Sequence, residues 1–236
     1  MKLIKILFVF FSVVLSPVCS SKSEGLSLSQ TRVVFPSDRN SVSLNVRNSS
    51  QKDIWLLKGW VTDIDGNKTD KFIITPPLYR LDPSNNFQLR INAIDKNGLS
   101  ENVESIFYIN VMAIPSESDK NTGAGVNGSM SFSINSRIKL LYRPQEINNK
   151  KNVFDAYKKI TVTQRDGFVI ISNPSPYYIT LDDTRIDGKP VQSSADDFLL
   201  PPNGTISVRY TKKASHLDYK IIDDFGGRSD DFRMTF

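Results

Sequence analysis

One cysteine and one histidine serve the whole chain of 236 residues. A zinc cluster needs several such ligands and a disulfide framework needs cysteine pairs, so the composition argues against both, and against a Cys/His nucleophilic couple. Beyond the N-terminal segment no apolar stretch approaches the roughly 18 residues of a membrane-spanning helix. Gly-rich phosphate loops are lacking too, since Gly226-Gly227 has neither the spacing nor the strand-to-helix setting of one. Lys and Arg outnumber Asp and Glu by 30 to 25, but they are dispersed and accompany no recognition motif, which argues against nucleic acid as a partner. Long runs of helix formers are missing as well. Twelve Pro and 12 Gly lie scattered along the chain instead, a distribution that favours strands and turns.

What remains is an ordinary globular balance, with 39% hydrophobic and 23% charged residues, which excludes a wholly disordered or fibrous chain. The first twenty residues stand apart from the fold. Lys2 and Lys5 precede an apolar run from Ile6 to Leu15 broken only by Ser12, and small residues follow at Ser16 and Ser20. This is the layout of a secretory signal peptide over residues 1–20, with cleavage expected between Ser20 and Gly25. Its removal would lower the formal charge of +5 by two and take away Cys19, leaving an exported protein with no thiol in an oxidising compartment.

From residue 26 onward the apolar period is two. Val42, Leu44 and Val46 alternate with Ser43, Asn45 and Arg47, while Phe87, Leu89 and Ile91 alternate with Gln88, Arg90 and Asn92. From Ile106 to Val111 apolar residues occupy both alternating sets, which predicts a strand covered on two faces. Turn signals such as Asp65-Gly66-Asn67, Asp82-Pro83-Ser84 and Lys96-Asn97-Gly98 separate the runs at the short spacing of a β-sandwich. After Tyr142-Arg143-Pro144 comes a polar stretch, and a second series of strands follows at Phe168–Ile171, Tyr177–Leu181, Thr205–Tyr210 and Tyr219–Ile222. The expected organisation is all-β: two immunoglobulin-like sandwiches over residues 21–144 and 152–236, joined by a linker over residues 145–151.

No constellation for catalysis emerges. His216 sits in the polar stretch from Lys212 to Asp218 and reads as a solvated loop residue. The acidic pairs Asp182-Asp183, Asp196-Asp197, Asp223-Asp224 and Asp230-Asp231 are sequence neighbours, which on a strand point to opposite faces and cannot share a proton. Three stretches do stand out. Met130, Phe132 and Ile134 alternate with Ser131, Ser133 and Asn135; Ser136 to Pro144 interleaves bases with large apolar groups; and Glu104 stands immediately before an apolar strand.

Together with Thr31-Arg32-Val33-Val34-Phe35-Pro36, Trp60, Thr75-Pro76-Pro77-Leu78, Asn173-Pro174-Ser175-Pro176-Tyr177-Tyr178 and Asp224-Phe225-Gly226, these stretches form an ordered set across the chain from about Leu26 to Gly227. The set resembles the periplasmic pilus chaperones of the chaperone–usher pathway, the PapD-like family. Val103 stands where many members carry a base, and Asp223 where Asn is common.

The resemblance implies two sandwich domains set at an angle with a cleft between them, and a periplasmic protein that is not an enzyme and uses no metal or cofactor. It implies pilus or fimbrial subunits and the outer-membrane usher as partners, and leaves self-association of the free chaperone open. Such a chaperone lends a strand to an incomplete subunit sandwich, strand addition being a mode of which chaperone–pilin pairing is itself a type example. Carried onto this sequence, the donor row is Met130, Phe132 and Ile134, extended by Val126; the cations that anchor the subunit's C-terminal carboxylate are Arg32 and Lys139; an interdomain ion network falls on Glu104, Arg143 and Asp224; and Leu56, Pro76 and Pro77 fall on the usher-facing region. The moderate length of the segment from Ser116 to Ser129 resembles the short-loop subclass that builds rod-like pili. A two-domain exported adhesin and a periplasmic hydrolase are the competing readings. The loops, rich in Asn, Ser and Asp, lack the aromatic clusters of the first, and the Arg32 and Lys139 motifs favour the chaperone over both.

Overall fold

The computed structural model describes residues 25–116, 132–191 and 198–236. In the first domain one sheet runs in the order β1 (Leu26–Leu28), β3 (Ser41–Asn48), β7 (Asn86–Ala93), β5 (Phe72–Thr75). The facing sheet runs β2 (Arg32–Pro36), β9 (Ile134–Arg143), β8 (Ser105–Pro115), β4 (Trp55–Thr62), β6 (Leu78–Leu81). Only β2 and β9 are parallel within it. The chain crosses from one sheet to the other at every connection from β1 to β8 and stays in one sheet only from β8 to β9; at the β5–β6 crossing the Thr75–Pro76 bond is cis.

Period two explains the burial. Leu44, Val46, Leu89 and Ile91 of the first sheet and Leu57, Val61, Ile109 and Leu140 of the second turn inward, while Ser43, Asn45 and Arg90 turn out. A ring cluster fills one end, with Phe72 edge-on to Phe35 at 5.2 Å and to Phe107 at 5.0 Å between centroids. β8 is buried on both faces, as its sequence predicts. Phe107, Ile109 and Val111 enter the sandwich core, whereas Ile106 and Tyr108, with Leu141 of β9, meet Tyr178 and Leu199 of the second domain.

The second domain pairs β10 (Thr161–Arg165), β11 (Phe168–Ser172) and β15 (Thr205–Arg209) in one sheet. The other contains β12 (Ile179–Ile186), β13 (Lys189–Pro190), β14 (Leu199–Leu200), β16 (His216–Ile222) and β17 (Phe232–Thr235). The β10–β11 hairpin turns through Asp166 and Gly167 at φ of 52° and 80°, the left-handed pair that a two-residue loop demands. The expected strand at Tyr177–Leu181 begins two residues later, at Ile179, because the preceding segment forms a corner. There the Asn173 side-chain amide donates to the carbonyls of Tyr177 and Pro201 at 2.7 and 2.9 Å, and its Oδ1 accepts from the Ser175 N–H at 3.0 Å. The first domain repeats the device. Asn48 donates to the Asp53 and Asp82 carbonyls at 2.7 and 3.0 Å and accepts from the Ser50 N–H at 3.1 Å.

Two features depart from the strand-only pattern. The polar segment after Pro144 holds a 3-10 turn, Gln145–Ile147, and then helix α1 (Lys150–Tyr157). Asn149 caps that helix by accepting from the N–H groups of Lys151 and Asn152, and a short stripe of Val153, Ala156 and Tyr157 packs into the second core. Three buried positions in eight residues, with Phe154 exposed among them, are too faint a helical period to read against their Lys and Asn neighbours. His216, expected in a loop, instead opens β16, its side chain 27% exposed and 3.5 Å from both Asp187 and Asp218. The polar residues around it misled, because on an outer sheet face a polar run is what a strand displays.

Candidate functional site: the interdomain cleft and the overrunning strand

The parallel register of β2 on β9 sets Arg32 directly opposite Lys139, and the antiparallel register of β8 sets Tyr108 opposite Lys139 on the other side. Paired residues share a sheet face, so Arg32, Lys139 and Tyr108 form a row across the face turned to the second domain. Arg32 is only 5% exposed and donates from Nη1 to the carbonyl of Ile222 at 2.9 Å, while its buried Nε makes no hydrogen bond within the protein. Burial lowers its proton affinity, against the pull of Tyr157 and the carboxylates of Asp224, Asp223 and Glu104. Lys139 beside it is half-buried. Arg32 therefore belongs to the domain junction as much as to the cleft, a contact no sequence pattern announces because its partner is a main-chain oxygen.

At the junction's centre Arg143 donates from Nε to Glu104 at 2.5 Å and, through both terminal nitrogens, to the two Asp224 oxygens at 2.7 and 2.8 Å. The Glu104 side chain is fully enclosed, Arg143 is 5% exposed and Asp224 is 24% exposed. Burial alone would lower the Arg143 pKa; the hydrogen bonds and charges of Asp224 and Glu104 outweigh it and hold the guanidinium well above its usual range. Glu104 reaches across twice more, accepting at Oε2 from the Tyr178 N–H at 2.7 Å and donating its own N–H to the Pro176 carbonyl at 2.9 Å. Burial pushes its carboxyl up while Arg143 pulls it down. Asp223 holds the turn that presents Asp224, accepting from the N–H groups of Phe225 and Gly227 at 2.9 and 2.8 Å. In that turn Gly226 has φ of 84° and lies so close to Thr31 that a Cβ would come within 2.3 Å of the threonine hydroxyl. Sequence reasoning placed Thr31, Tyr178 and Gly226 in motifs and Ile222 in a strand but gave none of them a role, because they act through backbone, close approach or sheer absence of bulk.

The last strand of the first domain outruns its neighbour. β8 pairs with β9 from Ile134 to Tyr142, but β2 pairs only from Lys139 to Arg143. On that side the stretch Ile134–Ile138 is an uncovered sheet edge among the described residues. The side chains continue the same way. Ile138, Leu140 and Tyr142 pack on the core, and the next apolar positions of that parity, Ile134 and Phe132, are 52% and 70% exposed. Val126 and Met130 lie outside the described residues. Leu56 is half-buried on β4, opposite Ile114, and Pro77 accepts from the Gly59 N–H at 3.2 Å. Six residue steps along β4, about 20 Å of strand, separate Leu56 from Thr62 at the cleft end, so the structure does not bring the Leu56–Pro76–Pro77 group to the cations.

These features define a two-domain immunoglobulin-like protein with a cationic cleft and a first domain whose final strand is only half used by its own sheet. Residues 25–148 match the pili and flagellar-assembly chaperone, PapD N-terminal domain, and residues 155–232 match the pili assembly chaperone PapD, C-terminal domain, so the chain belongs to the PapD pilus-assembly chaperone family. It is 34% identical over 215 residues to the chaperone protein LpfB of Salmonella typhimurium, covering 89% of each chain. It is 31% identical over 211 residues to the chaperone protein FimC of Escherichia coli K12, covering 89% of this chain and 83% of the relative. Among solved structures, the periplasmic chaperone SfaE superposes with a TM-score of 0.75 at 31% identity, covering 90% of this chain and all of that one.

Proposed function

We propose that this protein is a periplasmic chaperone that captures pilus subunits by donating β9 and hands them to an outer-membrane usher. The observation that carries the reading is the uncovered edge of Ile134–Ile138 ending at the Arg32–Lys139 pair. A strand added to that edge occupies the line of β2 and stops where β2 begins. Two cations wait at that point, so the added strand's carboxyl end belongs there, and the strand runs parallel to β9. Anchoring one end also sets the register, which matters because a one-residue slip inverts every side chain. Phe132 and Ile134, with Met130 and Val126 beyond them, then fill the gap in the subunit's core, each apolar group contributing roughly 1.5–3 kcal/mol before ordering costs.

The Glu104–Arg143–Asp224 network acts in holding the cleft at one angle, and the exposed Leu78 beside Pro76 and Pro77 supports that corner, with Leu56, as the usher-facing one. The family assignment supports a non-enzymatic role. The N-terminal segment with its two lysines and apolar run supports export. Co-expression with a pilus subunit and co-purification from the periplasm tests the reading. Wild type should bring the subunit down, and Lys139→Ala should not; retention of the subunit by Lys139→Ala would remove the anchor.

A further inference from the structure

A groove of about 240 Å³ lies where the two domains meet beside the uncovered edge, lined by Ile64, Tyr108 and Arg137 from the first domain and Tyr178, Leu199 and Pro201 from the second. It is smaller than the roughly 300–1,000 Å³ of a small-molecule site, and suits one large side chain better than a free ligand. Its floor is aromatic and aliphatic. Its single charged member, Arg137, lies over the Tyr108 ring with the guanidinium carbon 3.5 Å from the ring centroid, so the charge and the ring form one wall of the groove.

The register makes this groove part of the docking track. Arg137 is two residues from Lys139 on β9, hence on the same sheet face, and it falls within the uncovered stretch Ile134–Ile138. In a strand added there, alternate side chains turn toward the Phe132 and Ile134 row, and those between them turn toward the cleft. The cleft-side residue level with Arg137 sits over the groove, close to the strand's carboxyl end at Arg32 and Lys139. We infer that this groove receives a large apolar or aromatic side chain from the C-terminal end of the subunit strand and thereby selects which subunits are accepted. The inference rests on the donor-edge and carboxylate-anchor reading given above. Three cations on one face, Arg32, Arg137 and Lys139, match a segment that ends in a carboxylate, while the apolar lining of the groove favours a ring over a second acid at the selected position.

The test uses the full-length mature chaperone and short acetylated peptides of alternating Val and Thr, with either a free C-terminal carboxylate or an amide. Tyr, Ala or Asp is placed in turn at each of the last three positions, and binding is followed by NMR titration. At one cleft-side position Tyr should bind about tenfold more tightly than Ala, a ratio in keeping with partial burial of a ring. Ile64→Asp, an exposed loop change that spares both cores, should erase that tenfold while leaving the preference for carboxylate over amide. Arg32→Ala should do the reverse. Equal affinity of Tyr and Ala peptides at all three positions, or a preference for Asp, with the carboxylate preference intact, would overturn the groove inference alone. Loss of any difference between carboxylate and amide, or no binding by any peptide at millimolar concentration, would overturn the anchor reading and the groove with it.

Discussion

The two domains close their sheets differently. In the second domain the last strand, β17, pairs along β16 from His216 to Tyr219, turns Phe232 and Met234 onto the core, and ties Arg233 on the outside to Asp218 at 2.6 Å. In the first, β9 runs past its partner β2 and carries Ile134 and Phe132 into solvent. Both strands alternate in the same way, and both domains turn the same buried-asparagine corner, at Asn48 and at Asn173. A shared fold with one row of large apolar side chains left uncovered teaches that the row is not a remnant of folding. The exposed row continues the parity of the core, as the proposed donor role requires.

The largest stability effect should come where the domains depend on each other. Arg143→Ala leaves the enclosed Glu104 carboxylate without its cation, so denaturant unfolding should show a loss of about 3–5 kcal/mol. A loss below about 1 kcal/mol would mean the two domains hold their angle without the network.

Next comes the same substitution in both final strands. Phe232→Asp should cost roughly 2–3 kcal/mol of stability, since it places a charge against the second core. Phe132→Asp should leave the unfolding midpoint unchanged and abolish subunit co-purification, while Ser131→Asp, of the other parity, should be much milder toward the subunit. Equal loss of subunit from Phe132→Asp and Ser131→Asp would erase the distinction between the two strands.

The anchor cations sharpen the contrast further. Lys139→Ala and Arg32→Ala should both lose the subunit, and Arg32→Ala should also lose about 1–2 kcal/mol of stability, because its hydrogen bond to the Ile222 carbonyl joins the domains. An unfolding midpoint for Arg32→Ala equal to that of the wild type would show that the Arg32 contact adds nothing. The corners should respond alike: Asn48→Ala and Asn173→Ala each leave two carbonyls and one N–H without their side-chain partner and should each cost about 1–3 kcal/mol.

The smallest effect concerns acid. The Ser215 hydroxyl and N–H hold the Asp187 carboxyl down at about 2 in the second domain. A depressed folded pKa gives stability that is present above about pH 4 and lost as pH falls toward 2. Asp187→Asn should flatten the acid-unfolding slope in that window, and an unchanged slope would contradict the assignment.

Much of this was legible beforehand, because the fold speaks in period two. The Val42–Val46 and Phe87–Ile91 alternations, the two-faced Ile106–Val111 strand and the Gly-bearing turns are statements about side chains, and the structure keeps them. Arg32, Lys139, Glu104, Arg143 and Asp224 were named from family motifs, and composition alone would have left each as a solvated charge. What stayed hidden is carried by the backbone or by long-range closeness: the Ile222 and Pro176 carbonyls, the Tyr178 N–H, and the approach of Gly226 to Thr31. Helix α1 and the strand position of His216 were missed because a short buried stripe and an outward polar face both look like loop in one dimension.

If Ile134–Ile138 offers an edge for another chain's strand, backbone hydrogen exchange across that stretch measures it directly. In the free chaperone the N–H groups there that face away from β8 should exchange rapidly, and in a purified complex with a pilus subunit they should become strongly protected, with β17 unchanged in both. Equal exchange of Ile134–Ile138 in the free and bound protein would contradict strand addition at this edge.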